Sequence, residues 1–163
     1  MMLKKVLIMV FGAIFIAGCV FINSGRPKME IGEIEISNGQ TLITPKAYHI
    51  STRYKNDIDE HKKIVLTDIL DKIPEIKQKV KKDAPVGEEI TSDIKVSFIG
   101  KYAGDVYYTV YNNKGEEIVK KGTALNIPTG YLDDCVVKIH VLWGKEKNYE
   151  EYEYYFKVKY EYV

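Results

Sequence analysis

Between Cys135 and Tyr162 apolar side chains fall on every second residue, twice over. Cys135, Val137, Ile139, Val141 and Trp143 share one parity. After the polar stretch Lys145 to Asn148, the residues Tyr152, Tyr154, Phe156, Val158, Tyr160 and Tyr162 share another. Successive side chains of a strand point to opposite faces, so a period of two sustained this long specifies strands. The segment reads as a long hairpin whose inner faces place Trp143 and Phe156 in a core. The same parity makes Cys135 a buried, inert thiol. The tyrosine-rich stripe reads as core rather than as a sugar-binding platform.

The period of two recurs upstream. Ile34 and Ile36 follow Ile31 and alternate with Glu33 and Glu35. Asn38-Gly39 is a hairpin turn signal, and Thr41-Leu42-Ile43 returns from it. Tyr48 to Tyr54 has strand character. Ile94, Val96 and Phe98 alternate with polar residues, as do Val106, Tyr108 and Val110. Asn112-Asn113-Lys114-Gly115 is a tight turn, and Glu116 to Lys121 a short partner strand. Thr123, Leu125 and Ile127 suggest one more strand, stopped by Pro128 and Gly130. Two stretches depart from this pattern. Residues 55–63 are mostly charged and read as a solvated loop. Leu66, Ile69, Leu70 and Ile73 are spaced for one helix face, with Thr67 at the N-cap and Asp68 in the first turn. Pro74 interrupts that helix. Ile76 and Val80, four apart, suggest a weaker second helical segment to about 81. Pro85-Val86-Gly87 is a turn.

Several short strands with regular turns indicate a β-sandwich. The strand order over about residues 90–163 resembles an immunoglobulin-like or fibronectin type III-like module. Tyr107–Ile118 is similar to the central hairpin of bacterial extracellular Ig-like repeats. The resemblance is architectural and brings no catalytic motif. The expected fold is mainly β: one immunoglobulin-like β-sandwich domain over residues 30–163, with a short helical insertion at 44–89.

The first residues carry a different signal. Met1-Met2-Leu3-Lys4-Lys5 is a basic head, Val6 to Gly18 is uncharged, and the run closes on Ile16-Ala17-Gly18-Cys19. Basic head, apolar run and small residues at a cut site form a secretory signal. The ending resembles the lipobox of bacterial lipoproteins, with Ile16 where Leu is commonest. The resemblance implies a signal peptide over 1–18, a diacylglycerol thioether on Cys19, and a lipidated tether over 19–29. The protein would then sit on the outward face of a bacterial cell membrane, held by two acyl chains, the number stable anchoring takes. Two other readings are an uncleaved membrane helix, at the short edge of what spans about 30 Å of hydrocarbon, and an ordinary secretory signal. The exported part is similar to lipoproteins of Gram-positive bacteria.

Charge and cysteine content narrow the function classes. The chain has 24 basic and 23 acidic residues, a balance that argues against a nucleic-acid partner, which favours a basic patch. It has two cysteines. With Cys19 lipidated, Cys135 has no partner for a disulfide, and a cysteine-based zinc site is excluded. Nucleophile-elbow, phosphate-loop, His-Glu-x-x-His and EF-hand patterns do not occur. Asp57-x-Asp59-x-His61 has metal-ligand residue types but too few donors for a metal loop, and reads as solvated charge. Asp133-Asp134 reads as turn chemistry. The expectation is no catalytic residue, no metal and no cofactor.

One surface stands out. If the strands near 104–111, 135–143 and 151–162 lie side by side, parity fixes their outer face. It carries Tyr107, Tyr111, Val136, Lys138, His140, Leu142, Tyr155, Lys157 and Lys159. Tyr offers rigid area plus a hydroxyl and is enriched at interfaces. Tyr107, Tyr111, His140, Leu142 and Tyr155 therefore form a candidate binding face for a protein or cell-envelope partner, unless the 44–89 insertion folds back over them. The functional expectation is a lipid-anchored extracytoplasmic module that binds or supports something at the cell surface. The alternatives are an extracytoplasmic enzyme with its site in 44–89, or a passive spacer.

Overall fold

A computed structural model describes residues 29–80, 94–101, 103–127 and 134–163. The leader, the tether as far as residue 28, the Pro85-Val86-Gly87 turn and Asp133 lie outside the described residues. The elements in order are β1 (Glu33–Ser37), β2 (Leu42–Ile43), β3 (Ala47–Tyr54), β4 (Asp57–Glu60), α1 (Leu66–Ile69) with a 3-10 turn over Leu70–Lys72, β5 (Glu75–Val80), β6 (Lys95–Ile99), β7 (Ala103–Tyr111), β8 (Glu117–Gly122), β9 (Cys135–Lys145) and β10 (Asn148–Tyr162). Among the described residues the chain is mainly β, with one short helix. Among the described residues no helix is long and apolar enough to cross a membrane.

The strands form two sheets. The smaller has the order β2-β1-β6 and the larger the order β4-β3-β10-β9-β7-β8. The long hairpin is the middle of the larger sheet, with β10 antiparallel to β9 from Asn148↔Lys145 to Val158↔Cys135. On its other edge β10 takes two partners in succession. Its first half pairs antiparallel with β3, and Lys157 to Tyr162 pair in parallel with β5. The insertion is thus part of the main sheet.

The core lies between the two sheets. Ile34 and Ile36 from β1 meet Val137, Ile139, Val141, Trp143, Tyr154, Phe156 and Val158 in one buried cluster. Phe98 of β6 meets the Trp143 ring edge-on, with centroids 6.1 Å apart. Trp143 Nε1 donates to the Tyr154 hydroxyl at 2.9 Å, so both polar tips are satisfied inside the core. Gly32 gives β1 its close approach, since a Cβ there would meet the Trp143 ring at 2.8 Å.

The turns follow their residues. Asn38 Oδ1 accepts from the backbone N–H of Gln40 and of Thr41, and Gly39 sits at φ 80°. Asn112 Oδ1 does the same for Lys114 and Glu116, with Gly115 at φ 79°.

Four expectations need correction. The 55–63 stretch is not wholly loop: Asp57–Glu60 is strand β4, paired with β3 across a turn in which Lys55 takes φ 58°. The helix begins at Leu66 with Val65, not Thr67, at its N-cap and without a side-chain cap bond. The second helical segment is strand β5. Ile76 and Val80 fit a period of two as well as 3.6, and buried Gln78 fills the inward position between them. Lys77 and Glu75 point outward, where cross-strand ion pairs to Glu161 and Lys159 at 2.7 Å favour the sheet. Finally, Thr123 to Ile127 is not a strand. Lys121 takes φ 48° and the chain leaves the sheet, yet Ile127 is still buried.

Phe156 is fully buried and Tyr162, at the same parity, is about half exposed. Phe156→Ala should therefore lower the unfolding free energy by about 3–5 kcal/mol. Tyr162→Ala should change it by less than about 0.5 kcal/mol. Urea denaturation measures both, and equal losses would contradict the placement of the core.

Candidate functional site

The face of the larger sheet turned away from the core carries the site. Tyr149, Glu151, Glu153 and Tyr155 share its parity along β10. β9 presents Lys138 and His140, in register with Tyr155 and Glu153. β7 presents Tyr107 opposite His140, and Tyr111 further along the same strand, opposite Val136. The β3–β4 hairpin and the segment leading into α1 rise over this floor. Ser51, Ile58, Glu60, His61, Lys63 and Ile64 form a wall facing Tyr111, Lys138 and Tyr155. The cleft between has a volume of about 630 Å³, within the about 300–1,000 Å³ usual for small-ligand sites.

Buried charge needs a partner, and the floor supplies one for each group. Glu153 takes the Lys138 ammonium at 3.3 Å and the Tyr155 hydroxyl at 2.5 Å. Glu151 accepts from the Ser51 hydroxyl and has His140 Nε2 at 2.7 Å. On the opposite, core-facing side of the sheet, Glu150 accepts from Thr52 Oγ1 at 2.7 Å and lies 2.7 Å from His49 Nε2. Tyr111 stands under the Lys138 ammonium, 5.8 Å from ring centre. Burial disfavours the Lys138 charge, but Glu153 and Tyr111 more than offset it and hold its pKa above the ordinary lysine value. Burial also pushes the Tyr155 hydroxyl up, and its bond to Glu153 adds to the effect.

The sequence-predicted face is assembled but not open. Tyr155 is only 5% exposed, packed edge-on against Tyr48 of β3 with centroids 5.9 Å apart. The insertion has folded back over it, with its Leu66 and Leu70 coming near Val136. Tyr155 is therefore a floor residue, not a free contact residue. Tyr111 lines the cleft and is half-buried. Tyr107 is half-buried against His140, edge-on at 6.1 Å. Leu142 lies apart, in a shallower hollow with Gly104, Asp105 and Tyr149.

Other candidates resolve differently. Asp57 and Asp59 are exposed on β4, and no group of His, Cys, Asp and Glu able to hold a metal occurs among the described residues. His61 instead lies against His49, with ring centroids 4.0 Å apart and planes tilted by 36°. Cys135 is buried and unpaired, and burial pushes its thiol up to about 12. Sequence reading missed Ser51, Glu60, Glu151 and Glu153, and read His61 as part of a solvated charged loop. The available signal was the pair of carboxylates sharing parity with Tyr155 on an otherwise aromatic strand. No protein-family model, curated protein or solved structure matches the chain.

Alkaline pH should unfold the protein through these phenols. Burial raises the folded-state pKa of Tyr108, Tyr152, Tyr154, Tyr155 and Tyr160, that of Tyr154 to about 12. Above about pH 10 the unfolded chain releases protons that the fold retains, so stability falls as pH rises. The raised Lys138 acts in the same direction, since its stabilisation is lost as pH climbs through its folded pKa. Circular dichroism and tyrosinate absorbance, followed together from pH about 9 to 12, should change in one shared transition. Gradual ionisation of all the tyrosines with the fold intact would contradict this burial.

Proposed function

We propose that the protein is a lipid-anchored, extracytoplasmic binding module whose ligand site is the cleft between the outer sheet face and the β3–β4 hairpin. The observation that carries the reading is the construction of that cleft. Eight of its lining positions come from the insertion and the rest from the main sheet. Its floor is a neutralised polar network and its walls carry Tyr111, Lys63, Glu60 and Glu117, which suits a polar ligand bound by hydrogen bonds and ring contact. Binding is favoured over catalysis because the two floor carboxylates are each engaged by a cation or imidazole and a hydroxyl.

The immunoglobulin-like relation belongs to the same reading. It is supported by β7, β9 and β10 lying side by side against a second sheet, with the insertion added on the far edge of β10. The anchor is supported by the lipobox-like Ile16-Ala17-Gly18-Cys19 and the short tether after it.

Protein extracted from membranes should carry a diacylglycerol mass on Cys19, and Cys19→Ala should leave the membrane fraction. The anchored protein, titrated with soluble cell-envelope fragments, should bind them, and Tyr111→Ala with Lys63→Glu should weaken binding at least about tenfold. An unmodified Cys19 would remove the anchor from this reading. Undiminished binding by the folded double variant would remove the cleft.

A further inference from the structure

Met29, the first described residue, packs at one end of the larger sheet: a Cβ on Gly144 would collide with its side chain. Gly144 lies next to the β9–β10 turn. Gly32, just after Met29, sits against Trp143 of the same strand. The chain leading back to Cys19 therefore leaves the domain beside this turn. The β3–β4 turn lies at the same end, because the Lys55 N–H donates to Lys147 O at 3.0 Å and to Asn148 Oδ1 at 3.1 Å. The two turns form one tip.

The tip has the composition of a surface that meets anionic headgroups. Lys55, Lys145 and Lys147 are exposed on it. The acids nearest to them along the chain are Glu146 and Asp57, while Glu33 and Asp105 stand behind, on strands. Glu30 is engaged by Lys101 at 3.0 Å. Residues 20–28 add Arg26 and Lys28 and no carboxylate. Ile31 and Ile99 are exposed at the same end. Lysines beside apolar side chains suit the headgroup region of an anionic bilayer, where the stems are covered and the ammonium groups stay wet.

Length decides which end can reach a membrane. The ten residues from Cys19 to Met29 span at most about 33–36 Å. β10 has fifteen residues and runs about 45 Å away from the tip at about 3.3 Å per residue. With Cys19 held in the bilayer, the tether is too short to stand the domain on its far end.

We propose that the tip formed by the β3–β4 and β9–β10 turns docks on an anionic lipid surface through Lys55, Lys145 and Lys147. The inference rests on the lipid anchor at Cys19. It places the Tyr149 end of the cleft next to the headgroups and the turn between β7 and β8 furthest from them.

Full-length, isotope-labelled protein carrying its own anchor would be placed in nanodiscs of phosphatidylcholine, with or without phosphatidylglycerol, doped with a lipid bearing gadolinium on its headgroup. Amide signals of residues 54–56 and 145–148 should broaden several-fold more than those of residues 112–116, and phosphatidylglycerol should increase the contrast. Lys55→Glu with Lys145→Glu and Lys147→Glu should remove the phosphatidylglycerol effect while the Trp143 indole signal keeps its position. Should that variant fail to fold, raising NaCl from about 0.05 to about 0.5 M on the unaltered protein should remove the effect instead. The intact mass of the same sample reads the anchor separately, and a Cys19 without lipid would overturn the anchor and this orientation together. With lipid on Cys19, equal broadening at the two ends, no effect of phosphatidylglycerol, or an effect that survives the charge reversal or the salt would each overturn the docking alone.

Discussion

The structure depends on β10 having partners along both edges. A strand of fifteen residues exposes a long row of backbone donors and acceptors, and each left buried and unpaired costs about 1–3 kcal/mol. β9 satisfies one edge. The other is shared between β3 and β5, which run in opposite directions along it. The insertion at 44–89 therefore completes the sheet rather than decorating it. The core follows from the same strand, because Tyr154, Phe156 and Val158 form its inner face against β1 and β6.

The cleft is a by-product of that completion. A hairpin zipped to one edge of a twisted sheet rises over the sheet's outer face. Its turn is laced to the β9–β10 turn, where the Lys55 N–H donates to Lys147 O at 3.0 Å and to Asn148 Oδ1 at 3.1 Å. Residues 61–66 then run beside the floor, and Ile58, Ile64 and Leu66 shield part of it. Shielding is why Glu151 and Glu153 come paired. A half-buried carboxylate is tolerable when an imidazole, an ammonium or a hydroxyl lies within hydrogen-bond reach.

Much of this was legible in the residues. The β9–β10 hairpin, the buried Trp143 and Phe156 and the Asn38-Gly39 turn follow from period and turn chemistry, and the neighbouring of β7, β9 and β10 is what the immunoglobulin-like resemblance implied. What failed was long-range. Ile76 and Val80 are spaced for both helix and strand, and only the pairing of β5 with residues more than eighty positions away decides between them. The β4 sequence Asp57-Ile58-Asp59-Glu60 has one apolar residue, so its strand state comes from its hairpin with β3 and not from a pattern. Tyr155 was placed on the correct face. Its burial could not be read, because burial there is decided by where the insertion lands.

The central claim is that β10 carries the insertion on the edge opposite β9. Nuclear Overhauser contacts between backbone protons in the full-length protein test it most directly. The account predicts cross-strand contacts between Ile76 and Val158 in a parallel register and between Thr52 and Glu150 in an antiparallel one. Helical contacts three residues apart along 74–81, with none from Ile76 to Val158, would contradict it.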